Sequence, residues 1–144
     1  MVSDDVRIVE VGPRDGLQNF ENNVPTAVKL ELIRRLHGAN VRTIELTSVV
    51  SPKAIPQLAD CQKLLSDESI RSLQRDGNRR LPVLVPNLKG LDIAVGHGVK
   101  EVAVFVSASE GFSRANTNCS VEEGLQRATS VTRRAVAQGL AVRG

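Results

Sequence analysis

VEVGPRDGLQN, residues 9–19, sets the reading of the whole chain. Ile8, Val9 and Val11 favour extended backbone, Gly12 and Pro13 end a strand, and Asp15-Gly16 is a turn signal. The stretch therefore reads as a buried strand feeding a loop that holds Arg14 and Asp15 side by side. In α/β folds ligands bind at the carboxyl ends of the strands, which is where this pair would lie. An adjacent cation and anion there could hold a metal and a developing negative charge together.

Downstream, Val28, Leu32, Ile33 and Leu36 recur at helical spacing, with Thr26 as N-cap and Gly38 just past the end. Residues 41–47 form a second strand, ending at Glu45, Thr47 and Ser48 before the Ser51-Pro52-Lys53 loop. A carboxylate among apolar strand residues is costly to bury unpaired, so Glu45 is expected to face a polar centre. Residues 55–65 read as a helix with an early Pro56, and 66–80 as a polar connector whose Arg71, Arg75, Arg79 and Arg80 are solvated. Residues 81–85 are a third strand and 88–95 a short helix closed by Gly96 and Gly98. Residues 101–106 are a fourth strand, followed by SASEGFSRANTNCS, a long polar loop on the ligand side of the sheet. Ser120 and Glu123 form a capping box, Leu125, Ala128, Val131 and Ala135 give the buried stripe of the helix it opens, and Gly139 ends that helix. Residues 140–142 begin a fifth strand.

The chain has 144 residues, 41% hydrophobic, without a low-complexity tract, which suits one core in a single soluble domain. Its net charge is +3, the basic residues are scattered, and Trp and Tyr are absent, so a nucleic-acid role is not expected. Cys61 and Cys119 lack metal-type spacing and read as reduced thiols. His37 and His97 read as surface residues outside any paired metal motif, His97 at the opposite end of the sheet from Arg14 and Asp15. The acidic amino terminus runs directly into a strand and no run approaches transmembrane length, so no membrane partner is expected and the chain as written reads as cytoplasmic. Four β-α units and the start of a fifth imply a parallel sheet with helical crossovers. Two closures fit: a small doubly wound sheet, or the first half of a (β/α)8 barrel. Length favours the small sheet, because a full barrel needs about 250 residues.

GPRDGLQN at 12–19, IELTSVVSPK at 44–53, PNLKG at 86–90 and the segment 108–120 with its NTNCS ending closely resemble the 3-hydroxy-3-methylglutaryl-CoA lyase family. The resemblance runs from Val6 to the last residue and keeps the motifs in order. It implies that residues 1–144 are an incomplete pyruvate-carboxyltransferase-like domain, the amino-terminal half of a (β/α)8 TIM barrel. Members cleave an acyl-CoA substrate into acetyl-CoA and acetoacetate with a divalent cation, usually Mg2+ or Mn2+, in leucine catabolism and ketone-body formation.

Carried onto this sequence, Asp15 matches the family's metal-ligating aspartate, and Arg14 the arginine that contacts substrate and stabilises the departing enolate. Carbon-carbon cleavage from a tertiary alcohol requires removal of the hydroxyl proton while charge builds on a thioester oxygen, which a hard dication and a fixed guanidinium suit. Glu45 matches the strand-two glutamate, expected to orient Arg14 or a metal-bound water. Gln18, Thr47 and Ser48 are further substrate-binding candidates at the same mouth. Ser51, Lys53 and Asn87 match motif positions without an assigned role. The family's remaining ligands, a His-x-His pair and an asparagine, and its catalytic cysteine in a glycine-rich loop belong to the second half of the barrel. Cys61 and Cys119 do not correspond to that cysteine, and Ala54 stands where the family commonly has Trp.

The expectation is thus an enzyme by family, with little or no turnover by this chain alone and self-association through open barrel edges. One alternative is a short product retained as a non-catalytic interaction fragment. Another is a synthase that condenses acetyl-CoA with a keto acid, which shares the Arg-Asp and Glu logic. A preceding transit segment would place the chain in the mitochondrial matrix.

Overall fold

A computed structural model describes residues 6–144. In chain order it contains α1 (Thr26–Gly38), α2 (Cys61–Ser66), α3 (Glu68–Asp76), β1 (Val83–Leu84), α4 (Leu88–Gly96), β2 (Glu101–Ala103), α5 (Glu110–Thr117), α6 (Val121–Ala137) and β3 (Ala141–Arg143). The three strands form a parallel sheet in the order β1-β2-β3, with Val83 opposite Val102 and Ala103 opposite Arg143. Parallel bridges Ser48–Leu84, Thr43–Arg80 and Glu10–Ile44 continue the sheet on the far side of β1. The Glu45 amide donates to the Glu10 carbonyl at 2.8 Å, and the Leu46 amide to the Pro82 carbonyl at 3.0 Å. The expected second strand is present as a hydrogen-bonded segment held by single bridges, whereas the first is reduced to the bridge at Glu10 and is not buried as expected: Ile8 is exposed and Val9 and Val11 are only half-buried, because no element of the described chain covers them.

Period-two alternation divides the sheet into two unlike faces. Ile44, Leu46, Leu81, Val83, Val85 and Val102 pack with Ile33 of α1, Leu64 and Leu65 of α2, Ile70 of α3, Leu91 of α4 and Val131 of α6 in one core. Glu45, Thr47, Ala103 and Arg143 take the other parity. The helices that build this core lie on one face only, which removes the doubly wound closure that chain length alone favours. A contact between Arg143 and Glu45 also spans from β3 past β2 and β1. In a flat sheet those backbones would be three strand spacings, about 14 Å, apart, so the helix-free face is concave.

Several local expectations change. Thr26 is not the cap of α1: Pro25 holds that position, and the Thr26 hydroxyl donates to Asp60 Oδ2 at 2.8 Å. Beside it the Lys29 ammonium, buried to 3% exposure, donates to the Gln57 carbonyl at 2.5 Å and Asp60 Oδ1 at 2.6 Å, tying α1 to α2. The 55–65 helix is broken into a 3-10 turn, Pro56–Leu58, and α2. The polar connector contains α3, started by the Asp67 side chain accepting from the Ser69 amide and anchored by buried Ile70. Arg80 is not simply solvated: its Nε donates to Glu101 Oε2 at 2.6 Å, and Glu101 is buried. Arg79 pairs with Asn40. The polar exit loop contains α5, capped by Ser109. The Ser120–Glu123 box is present, but Leu125 and Val28 are exposed rather than buried, because no element of the described chain covers those turns of α6 and α1.

Candidate active site

The strand-end loop of residues 12–16 is a single π-helical turn, Gly12–Gly16. The amides of Arg14, Asp15 and Gly16 all converge on the Val11 carbonyl, at 3.1, 2.7 and 3.3 Å. Gly12 donates its amide to Glu10 Oε1 at 2.6 Å, and a Cβ at that position would stand 2.8 Å from the same oxygen, so a larger residue there would displace the flexible end of the Glu10 side chain. Buried Pro13 fixes the entry. Single π-turns concentrate at functional sites, because the extra residue redirects a side chain. Here it turns the Arg14 guanidinium back onto the sheet.

Arg14 Nε donates to Glu45 Oε1, and Arg14 Nη1 to Asp15 Oδ1 at 2.9 Å. Glu45 is fully buried, and its second oxygen accepts from Arg143 Nη2. Asp15, by contrast, is 54% exposed. The result is a line of alternating charge, Asp15–Arg14–Glu45–Arg143, running from the turn across the concave face to β3. Each guanidinium is neutralised by a carboxylate, and the buried carboxylate by two guanidiniums, which is what burial of charge requires.

Of the sequence candidates, the structure brings Arg14, Asp15 and Glu45 together. Thr47 is buried on the same parity as Glu45, and Gln18 is half-buried just beyond the turn. Ser48 is drawn elsewhere: its hydroxyl donates to the Leu84 carbonyl at 3.2 Å, a link within the sheet. The motif residue Asn87 caps α4 by accepting from the Gly90 amide at 2.9 Å, and the Ser51 carbonyl closes a turn with the amides of Ala54 and Ile55. Arg143 had no place in the sequence reading. Its signal is the one that identified Glu45, a charge ending an apolar strand, but its partner becomes evident only once the sheet is curved.

Cys61 and Cys119 are both buried and free, and burial pushes the Cys61 thiol up. Among the described residues no group of three or more His, Cys, Asp or Glu side chains gathers to hold a metal ion. Asp15 offers one accessible carboxylate already paired with Arg14, and both oxygens of Glu45 are taken by guanidiniums. These residues alone do not make a divalent-cation site. Shallow grooves on the outer side of α6 are lined by none of the site residues.

A turn-borne Arg-Asp pair held by a buried strand-two glutamate accompanies a family match: the HMGL-like model aligns with residues 5–144. The chain belongs to the HMGL-like family. It is 54% identical over 139 residues to the mitochondrial hydroxymethylglutaryl-CoA lyase of Arabidopsis thaliana, covering 96% of this chain and 29% of that protein. The HMG-CoA lyase of Brucella melitensis superposes with a TM-score of 0.87 at 47% identity, over 96% of this chain and 47% of that one. An HMG-CoA lyase from Acinetobacter baumannii, solved in complex with coenzyme A and 3-methylmalate, gives a TM-score of 0.79 at 30% identity, over 99% of this chain and 45% of that one. This HMGL-like chain thus spans under half the length of these relatives. Its curved parallel sheet with outer helices is the amino-terminal half of a (β/α)8 barrel, as the family resemblance implies. No helix among the described residues is long and apolar enough to cross a membrane.

Proposed function

We propose that this chain carries the arginine-bearing half of a hydroxymethylglutaryl-CoA lyase site, for cleavage of 3-hydroxy-3-methylglutaryl-CoA to acetyl-CoA and acetoacetate. The observation that carries the reading is Arg14 fixed at a strand end by buried Glu45, with Asp15 open to solvent beside it. The Arg14 guanidinium contacts the acyl-CoA substrate and stabilises charge on the thioester oxygen as the enolate leaves. Glu45 keeps that guanidinium oriented. Gln18 and Thr47 line the mouth as substrate contacts, and Ser48 contributes by holding the strand end. The cofactor is a divalent cation, Mg2+ or Mn2+, for which Asp15 is one ligand and the others lie outside residues 6–144. The products suit leucine catabolism and ketone-body formation, in the mitochondrial matrix or the cytoplasm. The open edges of the half-barrel are the route by which copies associate.

The test is complementation. The chain is co-expressed with the carboxyl-terminal half of the Brucella melitensis lyase, and acetoacetate release from the CoA ester is measured with Mg2+. Turnover by the pair, little by either half, and its abolition by Arg14→Ala support the reading. No turnover by a stably associated pair favours the non-catalytic fragment. Release of free CoA that depends on an added keto acid favours a condensing synthase.

A further inference from the structure

We infer that Arg143 is a positioning residue that acts through Glu45 to hold Arg14 in place. The inference deepens the lyase reading and rests on it only for the identity of the reaction. Glu45 presents two carboxylate oxygens where no solvent reaches. Arg14 takes one through Nε and Arg143 the other through Nη2, and no other side chain or amide among the described residues donates to that carboxylate. A buried carboxylate with one oxygen left dry is strongly disfavoured, and one held at a single point can swing about its side-chain torsions. Donors on both oxygens fix its plane. Arg14 then meets a stationary anchor at Nε, whereas its second partner, Asp15, stands half in solvent and restrains it little.

The sequence of β3 and its neighbour makes this reach possible. Arg143 lies in register with Ala103, whose methyl group leaves the concave face open at that level. The network thereby couples β3 to the Gly12–Gly16 turn through Glu45.

The test reads Arg14 itself, by arginine side-chain nitrogen-proton spectra of this chain, with the Arg14 Nε–H signal assigned by its loss in Arg14→Lys. Hydrogen exchange at that site is expected to rise about tenfold or more in Arg143→Gln, the scale of a lost charge-assisted hydrogen bond, and to be partly restored in Arg143→Lys. Unchanged exchange in a folded Arg143→Gln overturns the inference. Should that variant not fold, Ala103→Leu keeps every charge while filling the space at Arg143's register; the same rise supports the inference and no rise overturns it. In the complemented enzyme Arg143→Gln is expected to lower kcat roughly a hundredfold, the effect of a small misplacement of a reacting group, with KM little changed and partial recovery in Arg143→Lys; an unchanged kcat overturns the inference. The exchange measurement involves no substrate, so complete inactivity of the unaltered complemented enzyme would overturn the lyase reading and leave the Arg143 result standing.

Discussion

Replacing Glu45 with glutamine leaves the shape of the side chain and removes the charge that two guanidiniums share. The expected loss is about 3 kcal/mol, the low end for breaking a buried ion pair because Arg143 is partly in solvent. A fall in the urea midpoint at unchanged slope would show it. Asp15→Asn should behave differently. Its partner Arg14 keeps the Glu45 contact, and Asp15 is half exposed, so stability should move by under about 1 kcal/mol. In the complemented enzyme the same change should abolish calorimetric Mn2+ binding, and retained affinity would remove Asp15 from the ligand set. The sequence could assign Glu45 to a polar centre because the cost of burying a lone carboxylate is a local argument. It could not assign Arg143, because that side chain's partner lies 98 residues away and meets it only through curvature.

At the scale of elements, the capping box of α6 makes a pH prediction. The Ser120 amide donates to Glu123 Oε2 at 2.7 Å, which together with the Ser120 side chain holds the Glu123 carboxyl below its ordinary 4.5. The Arg34 and Arg35 guanidiniums draw Glu31 on α1 down to about 2. A carboxylate whose pKa is lower folded than unfolded contributes stability that is whole above the unfolded value and is lost as pH falls through the folded one. Thermal midpoints should therefore hold above pH 4.5 and decline between there and about 2, and Glu31→Gln together with Glu123→Gln should flatten that slope. Gly90 makes a steric prediction: a Cβ would stand 3.2 Å from both the Val49 carbonyl and Pro86 Cδ, so Gly90→Ala should cost about 1–3 kcal/mol in denaturant unfolding. The capping box was legible because its two residues are three apart in sequence. Helices α3 and α5 were not: α3 shows little apolar periodicity beyond Ile70 and Leu73, and the one large apolar residue of α5, Phe112, is 60% exposed.

For the whole molecule, the order of parallel strands could be read from apolar runs, whereas closure could not. Hydrophobic periodicity reports which positions are buried and is silent about whether helices cover one face or both. The shared parity of the core residues carries that information, and it becomes visible only when each helix is placed. The half-barrel leaves Phe105 and Val106 beyond β2 about half exposed, and Val6 and Ile8 beside the first segment at 91% and 79% exposure. Sedimentation of the chain alone is expected to show concentration-dependent self-association with bound hydrophobic dye, both suppressed by the complementary half. A monodisperse monomer that binds no dye would mean that these edges are covered in another way.

The seam between α1 and α2 has a consequence for chemical wear. Amines that stand in solvent are open to acetylating reagents, and Lys53, Lys63, Lys89 and Lys100 are all exposed. Lys29 is not, because its amine is enclosed and engaged by the Gln57 carbonyl and the Asp60 carboxylate. Acetylation at Lys29 in a mass-spectrometric map would therefore mark molecules whose two helices had parted, and the residue serves as a built-in recorder of past unfolding.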